Sequence, residues 1–348
     1  MLKNISKVKN KKILCYLDNI SNFELFFPIC SLNSDIDFFI ISNVITIDDF
    51  RRAKLFTLDN VYYLSEIQRL KFQISYFGAF ITTNAYSVAS NEFALNIIKL
   101  AKDESIPVIK LQTELFEPLV HFDTTFKKDI YSDESFITNT LEDHYLAFFL
   151  NDYSKDTTVI GYPCYYQDVE SIDEGYGLIL SNMDWYPYSR DDIQVFYKTV
   201  LEFIQNSEVQ TFIWKMNDKE LSNSVCMNFL SNLFNFYPNA KEKIVFCHEN
   251  EMLKRVNDFE LIRKSSFVIN SLGIKVLDCK LANKNTFVFN CKNINVLTNK
   301  LNGVAIFNNI LELEDLITQQ NQEKFDYLVK FDNSKFRDLL DRCYLESK

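Results

Sequence analysis

Glycine and proline are scarce in this chain, six of each in 348 residues. The few glycines form neither a Gly-x-Gly-x-x-Gly fingerprint nor a Gly-Lys-Ser/Thr loop, which counts against dinucleotide oxidoreductases and P-loop phosphotransferases. Histidine is scarcer still. His121, His144 and His248 show no metal-ligand spacing, and the eight cysteines (Cys15, Cys30, Cys164, Cys226, Cys247, Cys279, Cys291 and Cys343) include no C-x-x-C pair. A zinc site is therefore not expected, and the cysteines read as buried free thiols of a reducing cytoplasm. Beyond the Lys3–Lys12 start there is no basic stripe, and the net charge is −10, so nucleic acid is not an expected partner. No apolar run approaches a membrane span, and no repeat of 20–50 residues suggests a solenoid or propeller. The first apolar stretch, Ile13–Leu17, is too short for a signal peptide and is followed by Asp18. A cytoplasmic location follows as the expectation. The lysine-rich start leaves room for peripheral association with the anionic inner face of a membrane, against the plainer reading of a solvated terminus.

What remains is a globular composition, 47% hydrophobic and 24% charged, long enough for two ordinary domains. The 32 Phe and 18 Tyr are core filler rather than an aromatic cage. Short apolar strands alternate with amphipathic helices almost throughout, the pattern of parallel sheets covered on both faces. In the first half the strands are Lys12–Leu17, Ile36–Ser42, Val61–Leu64, Phe77–Thr83, Val108–Gln112 and Thr158–Ile160, with a helix over Asn91–Ser105. The polar, glycine-containing Gly161–Gly177 stretch reads as a linker. A second series follows: strand Gly177–Ser181, helix Asp191–Asn206, strand Thr211–Lys215, helix Leu221–Phe236, strand Lys243–Cys247 and helix Phe259–Ser265. We therefore expect an α/β chain with two doubly wound, Rossmann-like domains over 1–165 and 176–310, and helices over 311–348 packing back toward the first domain. Two such domains in tandem make a cleft between the carboxyl ends of their strands.

The densest signal is Leu261–Asn290. Strand Phe267–Asn270 runs into the small-residue turn of Ser271 and Gly273, then into a helix through Ile274, Val276, Leu277 and Leu281, and then strand Thr286–Phe289. A helix entered this way offers backbone N–H groups and a positive dipole end to a phosphate. Ser271, the Gly273 backbone and Lys275 would hold a diphosphate, and Asp278 would accept from a ribose diol. The same residues also fit an ordinary βαβ unit whose Ser and Gly are turn chemistry.

Gly161-Tyr162-Pro163, the strand G-L-I-L-S-N (177–182), V-F-Y-K-T-V-L-E-F-I (195–204), F-I-W-K (212–215) and the Arg263–Asn290 segment together resemble GT-B transferases of bacterial surface glycans. The pattern is similar to the CDP-glycerol glycerophosphotransferase-like group and to capsule and lipooligosaccharide glycosyltransferases. The resemblance spans Pro107 to Asn290. It implies a nucleotide-sugar or CDP-linked donor in the C-terminal domain, a glycan or lipid-linked glycan acceptor in the N-terminal domain, and no cofactor or divalent metal. Where the polyol-phosphate transferases carry His-Gly after the V-I-K-L-Q strand, this chain has Thr113-Glu114. Where they carry His-Pro after F-I-W-K, it has Met216-Asn217-Asp218. Sugar transfer is accordingly the first expectation, polyol-phosphate transfer from a CDP-linked donor the second, and a non-catalytic glycan-binding or scaffold protein the third.

Within that frame Glu114, at a strand tip, is the candidate base for an acceptor hydroxyl, with helix capping as its bland alternative and Glu117 as substitute. Lys215, at a strand end, would offset charge on the departing nucleotide, with an ordinary solvated strand-end lysine as the alternative. His248 falls where GT-B proteins contact the nucleotide, and His248-Glu249-Asn250 fits a cap of the next helix as well. Thr82, Thr83, Asn84 and His121 are candidate acceptor contacts; a turn or a solvated loop accounts for them equally well. Arg263 reads as the partner of a helix carboxylate, and Asp35-Ile36-Asp37 as solvated charge at a strand start.

Overall fold

The computed structural model describes residues 11–17, 20–43, 46–47, 50, 55–64, 73–82, 92–111, 149–152, 157–164, 170–184, 188–271, 273, 275–290, 305–319 and 330–346. They divide into two compact units, Met1–Gln167 with Tyr327–Lys348, and Asp168–Asp326.

The first unit holds strands β1 (Lys11–Tyr16), β2 (Ile36–Ile41), β3 (Val61–Tyr63), β4 (Ala79–Thr82), β5 (Val108–Leu111), β6 (Phe149–Asp152) and β7 (Thr157–Val159). Their order is β3-β2-β1-β4-β5-β6-β7. The first five are parallel, whereas β6 runs antiparallel to both β5 and β7. This antiparallel edge departs from the all-parallel expectation; β6 was not legible because F-L-N-D has a single apolar pair. Helix α1 (Ile20–Ser31) was not expected either, since it carries Pro28. The proline has no N–H to give Glu24 O, so the helix lacks one hydrogen bond in its C-terminal half. Phe23, Phe26, Ile29 and Cys30 meanwhile bury a continuous stripe at helical spacing. Phe26 meets Phe38 of β2 edge to face at 5.7 Å. Helix α2 (Glu92–Asp103) packs Ala94, Ile97, Ile98 and Ala101 against Leu14, Phe80 and Val108. Asp35 is exposed, as expected of solvated charge, and pairs there with Arg337; Asp37 departs from that expectation and is buried.

The second unit is a six-stranded parallel sheet of order β10-β9-β8-β11-β12-β13. Its strands are β8 (Gly177–Ser181), β9 (Phe212–Met216), β10 (Ile244–Phe246), β11 (Phe267–Asn270), β12 (Asn285–Phe289) and β13 (Ala305–Phe307). Helix α3 (Arg190–Asn206) starts at a capping box between Ser189 and Asp192 and buries Phe196, Tyr197, Val200 and Phe203. The single helix expected over Leu221–Phe236 is two, α4 (Asp218–Ser222) and α5 (Ser224–Leu233). Asn223 divides them: its N–H closes α4 on Glu220 O and its Oδ1 caps the Val225 N–H at 2.9 Å. Then come α6 (Pro238–Lys243), α7 (Asp258–Lys264), α8 (Lys275–Leu281) and α9 (Ile310–Gln319). Helix α10 (Asn333–Glu346) belongs to the first unit, bonded there through Arg337 Nε to Asn33 Oδ1 at 2.8 Å.

Two opposite faces of the second sheet result from strand alternation. Leu178, Leu180, Ile213 and Val268 pack beneath Leu261 and Ile262 of α7 and Cys279 of α8. On the other face Phe203 of α3 meets the rings of Phe212 and Phe267, and Phe196 meets Trp214. Cys15, Cys30, Cys226, Cys247 and Cys279 are buried free thiols, and Cys164 is a free thiol that is partly exposed. Among the described residues no helix is long and apolar enough to cross a membrane.

At Gly177 the backbone lies close against two phenyl rings. A Cβ there would lie 2.6 Å from the Phe212 ring and 3.0 Å from that of Phe267, and Phe212 is fully buried. Gly177→Ala should therefore cost about 1–3 kcal/mol through overpacking. Urea unfolding would show this as a lower midpoint at unchanged slope; an unaltered midpoint would mean that the rings yield freely.

Candidate functional site

In the second sheet the chain runs from β8 outward to β9 and β10, then crosses back to place β11 on the other side of β8. Strand order reverses between β8 and β11, and in open α/β sheets the crevice at the carboxyl ends of such a pair is where ligands bind. One hydrogen bond spans it: the Asn182 N–H donates to Ser271 Oγ at 2.9 Å. The Ser271 N–H in turn donates to Leu180 O at 3.0 Å. Ser271 Oγ thus has one defined donor, and no acceptor takes its own proton among the described residues. Gly273 lies in the following turn, where an added Cβ would meet nothing within 4 Å. No packing demand excludes a side chain there, and the open space leaves the backbone approachable. Helix α8 has only seven residues, and the Val276 N–H is already bonded to Gly273 O at 3.2 Å.

Register places Lys215 of β9, Leu180 of β8 and Asn270 of β11 side by side in one row. The row lies on the face covered by α7 and α8, and it ends in charge. Lys215 Nζ is 2.5 Å from Asp258 Oδ1 and donates to Val256 O at 3.1 Å. Lys275 Nζ reaches the other oxygen of Asp258 at 2.9 Å and Asp278 at 3.4 Å. Lys215, Asp258, Lys275 and Asp278 thus form a chain of alternating charge that ties the end of β9 to the starts of α7 and α8. Burial alone would raise the Asp258 carboxyl; Lys275 and then Lys215 outweigh it and hold the group well below the usual carboxylate range. Both ammonium groups are mostly shielded from solvent, so their attraction is weakly screened. Beside them, burial pushes the Cys247 thiol up to about 11, which rules out a thiolate nucleophile at neutral pH. The Nδ2 of buried Asn270 has no hydrogen-bond partner among the described residues.

The sequence-derived donor residues therefore converge in part. Lys215, Lys275 and Asp278 meet through Asp258, a residue the sequence did not single out; Asn257-Asp258 reads as a routine helix start, and Asn257 does cap the Glu260 N–H at 2.7 Å. Asp278 is buried and turned onto Lys275. His248 sits two strands away from the crevice, roughly 10 Å by strand spacing, at the end of edge strand β10. Its ring packs on Phe246 at 5.2 Å, and its buried Nδ1 has no hydrogen-bond partner among the described residues. Arg263 makes two hydrogen bonds to Glu260, at 3.0 and 3.1 Å, the structural pairing expected of it. In the first unit Thr82 ends β4 without exposed surface. Glu114, Glu117, Thr83, Asn84, His121 and His144 lie outside the described residues.

An open cavity of about 450 Å³ is lined by Asp184, Asp218, Lys219, Ser222 and Asn223. Two carboxylates against one ammonium make it a poor seat for a phosphate. Among the described residues no group of His, Cys, Asp and Glu side chains could hold a metal ion.

No protein-family model matches the chain, and a search of curated proteins returns no match. Solved structures do match along nearly the whole length. A Staphylococcus aureus MnaA–UDP co-structure aligns with TM-score 0.59 at 10% identity, covering 97% of this chain and 98% of the other. A Methanocaldococcus jannaschii UDP-GlcNAc 2-epimerase in complex with UDP-GlcNAc and UDP aligns with TM-score 0.60 at 14% identity, covering 96% and 99%. Another UDP-N-acetylglucosamine 2-epimerase gives 0.55 at 12%, covering 96% and 95%. This likeness shows the fold: GT-B, with two Rossmann-like domains.

The charge chain is open to a direct test. Asp258→Asn leaves two shielded ammonium groups without their shared carboxylate, which should cost about 3–5 kcal/mol near neutral pH. Because the folded carboxyl titrates below its ordinary 3.8, its contribution is complete above that value and is lost as pH falls toward the folded one. The stability gap between wild type and variant, measured by urea unfolding, should be flat near neutrality and narrow in acid. A gap that widens in acid would contradict the pairing.

Proposed function

We propose that the chain is a metal-independent glycosyltransferase that moves a sugar from a nucleotide-activated donor to a capsule or lipooligosaccharide acceptor, with the donor held by the second unit. The observation that carries this reading is the β8–β11 crevice, where the Ser271 hydroxyl, the open Gly273 backbone and two lysines gathered on Asp258 share the carboxyl edge of one sheet. A diphosphate arriving there competes with Asp258 for the two ammonium groups and takes a hydrogen bond from Ser271. As the acceptor hydroxyl attacks the anomeric carbon and the bond to the nucleotide breaks, charge grows on the leaving phosphate. Lys215 and Lys275 offset it. Glu114 is proposed as the base that takes the acceptor proton, on its sequence position alone.

A second reading is isomerisation of a nucleotide sugar without an acceptor. The end-to-end fold likeness to UDP-GlcNAc 2-epimerases favours it. Transfer from a CDP-linked polyol phosphate stands behind both.

Thermal shift with UDP, GDP, CMP and CDP decides whether a nucleotide binds and which; a ligand at a hundredfold over its Kd adds about 2.7 kcal/mol. Stabilisation by none of them would favour a non-catalytic role. Incubation with the matching nucleotide sugar then separates the chemistries. Transfer releases nucleotide only with an acceptor, whereas isomerisation changes the sugar without one. For the transferase, Glu114→Gln should lower turnover by about 100-fold or more while nucleotide binding persists; retained turnover would remove Glu114 from the base role.

A further inference from the structure

Glu220 is a carboxylate with no exposed surface that no step above employs. Its Oε1 accepts the Tyr197 hydroxyl at 2.5 Å and the Ser181 hydroxyl at 3.0 Å, and its Oε2 accepts the Met183 N–H at 3.2 Å. Ser181 Oγ also accepts from Trp214 Nε1 at 2.9 Å, and Ser181 O accepts the Asn217 N–H at 2.9 Å. The carboxylate on α4 therefore gathers the end of β8, the turn that follows it and helix α3, with β9 joined through Trp214. This is the sheet face opposite the lysine chain. The backbone it grips at Met183 adjoins Asn182, whose N–H bonds Ser271 Oγ.

We propose that Glu220 is a positioning residue: by holding the Met183 N–H it fixes the turn after β8, and through the Asn182–Ser271 bond it sets the Ser271 hydroxyl toward the ligand in the β8–β11 crevice. The proposal rests on the nucleotide-binding reading of that crevice. The chemistry at the two oxygens is unequal. Tyr197 and Ser181 hydroxyls can rotate to accept as well as donate, but the Met183 N–H can only donate. Glutamine can therefore replace Glu220 with its carbonyl toward Met183 and its amide toward the hydroxyls. Leucine cannot, and leaves the Met183 N–H buried and unpaired.

Titration calorimetry with UDP, and with GDP and CDP as further probes, tests this on the full chain well below the melting temperature. Glu220→Leu should weaken binding of the nucleotide that wild type takes by about tenfold or more, Glu220→Gln should restore it to within about threefold, and Tyr197→Phe should stay within about threefold despite a lower Tm. A purely structural role would lower Tm in the Leu and Phe variants alike without separating their affinities. Equal affinity in wild type and Glu220→Leu overturns the proposal while leaving the nucleotide site standing. Failure of wild type to bind any probe overturns both. If Glu220→Leu gives no cooperative melting transition, Glu220→Asp decides, since one methylene fewer keeps the charge but cannot span Met183 and both hydroxyls. A loss of about threefold or more then supports the proposal, and a smaller loss overturns it.

Discussion

Strand β8 is the constraint from which the second unit is built. All five of its residues are buried, it pairs in parallel with β9 on one side and β11 on the other, and the chain must wind away from it in both directions. Right-handed crossovers then send α3 and α5 to one face and α7 and α8 to the other. The two sets diverge at the end of β8, so a gap opens there whatever side chains surround it. Gly177 starts this strand because two phenyl rings occupy the space a side chain would need. Ser181 ends it because a hydroxyl can accept from Trp214 and donate to Glu220 at once.

The two faces of this sheet solve the burial of charge differently. Beneath α7 and α8, opposite charges alternate along a chain of four side chains, and each ion is offset by a neighbour. Beneath α3, a lone carboxylate is surrounded by neutral donors. Burial raises the Glu220 carboxyl, and hydrogen bonds from Tyr197, Met183 and Ser181 pull it back in part. The first arrangement can exchange a partner for an incoming anion. The second can only be broken, since an acceptor-only group has nothing to trade.

Much of this architecture was legible from residue order. Strands β8 and β11 fall on the expected residues because each is an unbroken apolar run bounded by small or polar turn residues. Helix α1 was hidden by Pro28, whose penalty is outweighed by four buried side chains, and the break at Asn223 was hidden because a side-chain cap looks like any polar residue within a helix. Charged residues were harder. Lys215 could be placed at a strand end from F-I-W-K, but that it shares Asp258 with Lys275 depends on register between β9 and β8 and on where α7 begins. Glu220 in D-K-E-L resembles a solvated first turn; nothing local distinguishes it from Glu260, which stays part-exposed beside Arg263.

The segment that opens the second unit, ahead of β8, is stitched to the rest of that unit. Ile172 and Glu174 donate their N–H groups to Arg263 O and Lys264 O, Ser266 reaches Asp173, and buried Lys284 caps Ile172 O at 2.6 Å. Any attempt to excise the second unit must therefore begin upstream of Ile172. A fragment starting at Gly177 would strip the C-terminal carbonyls of α7 of their donors and take from Lys284 both the Ile172 carbonyl it bonds and the Asp173 charge beside it.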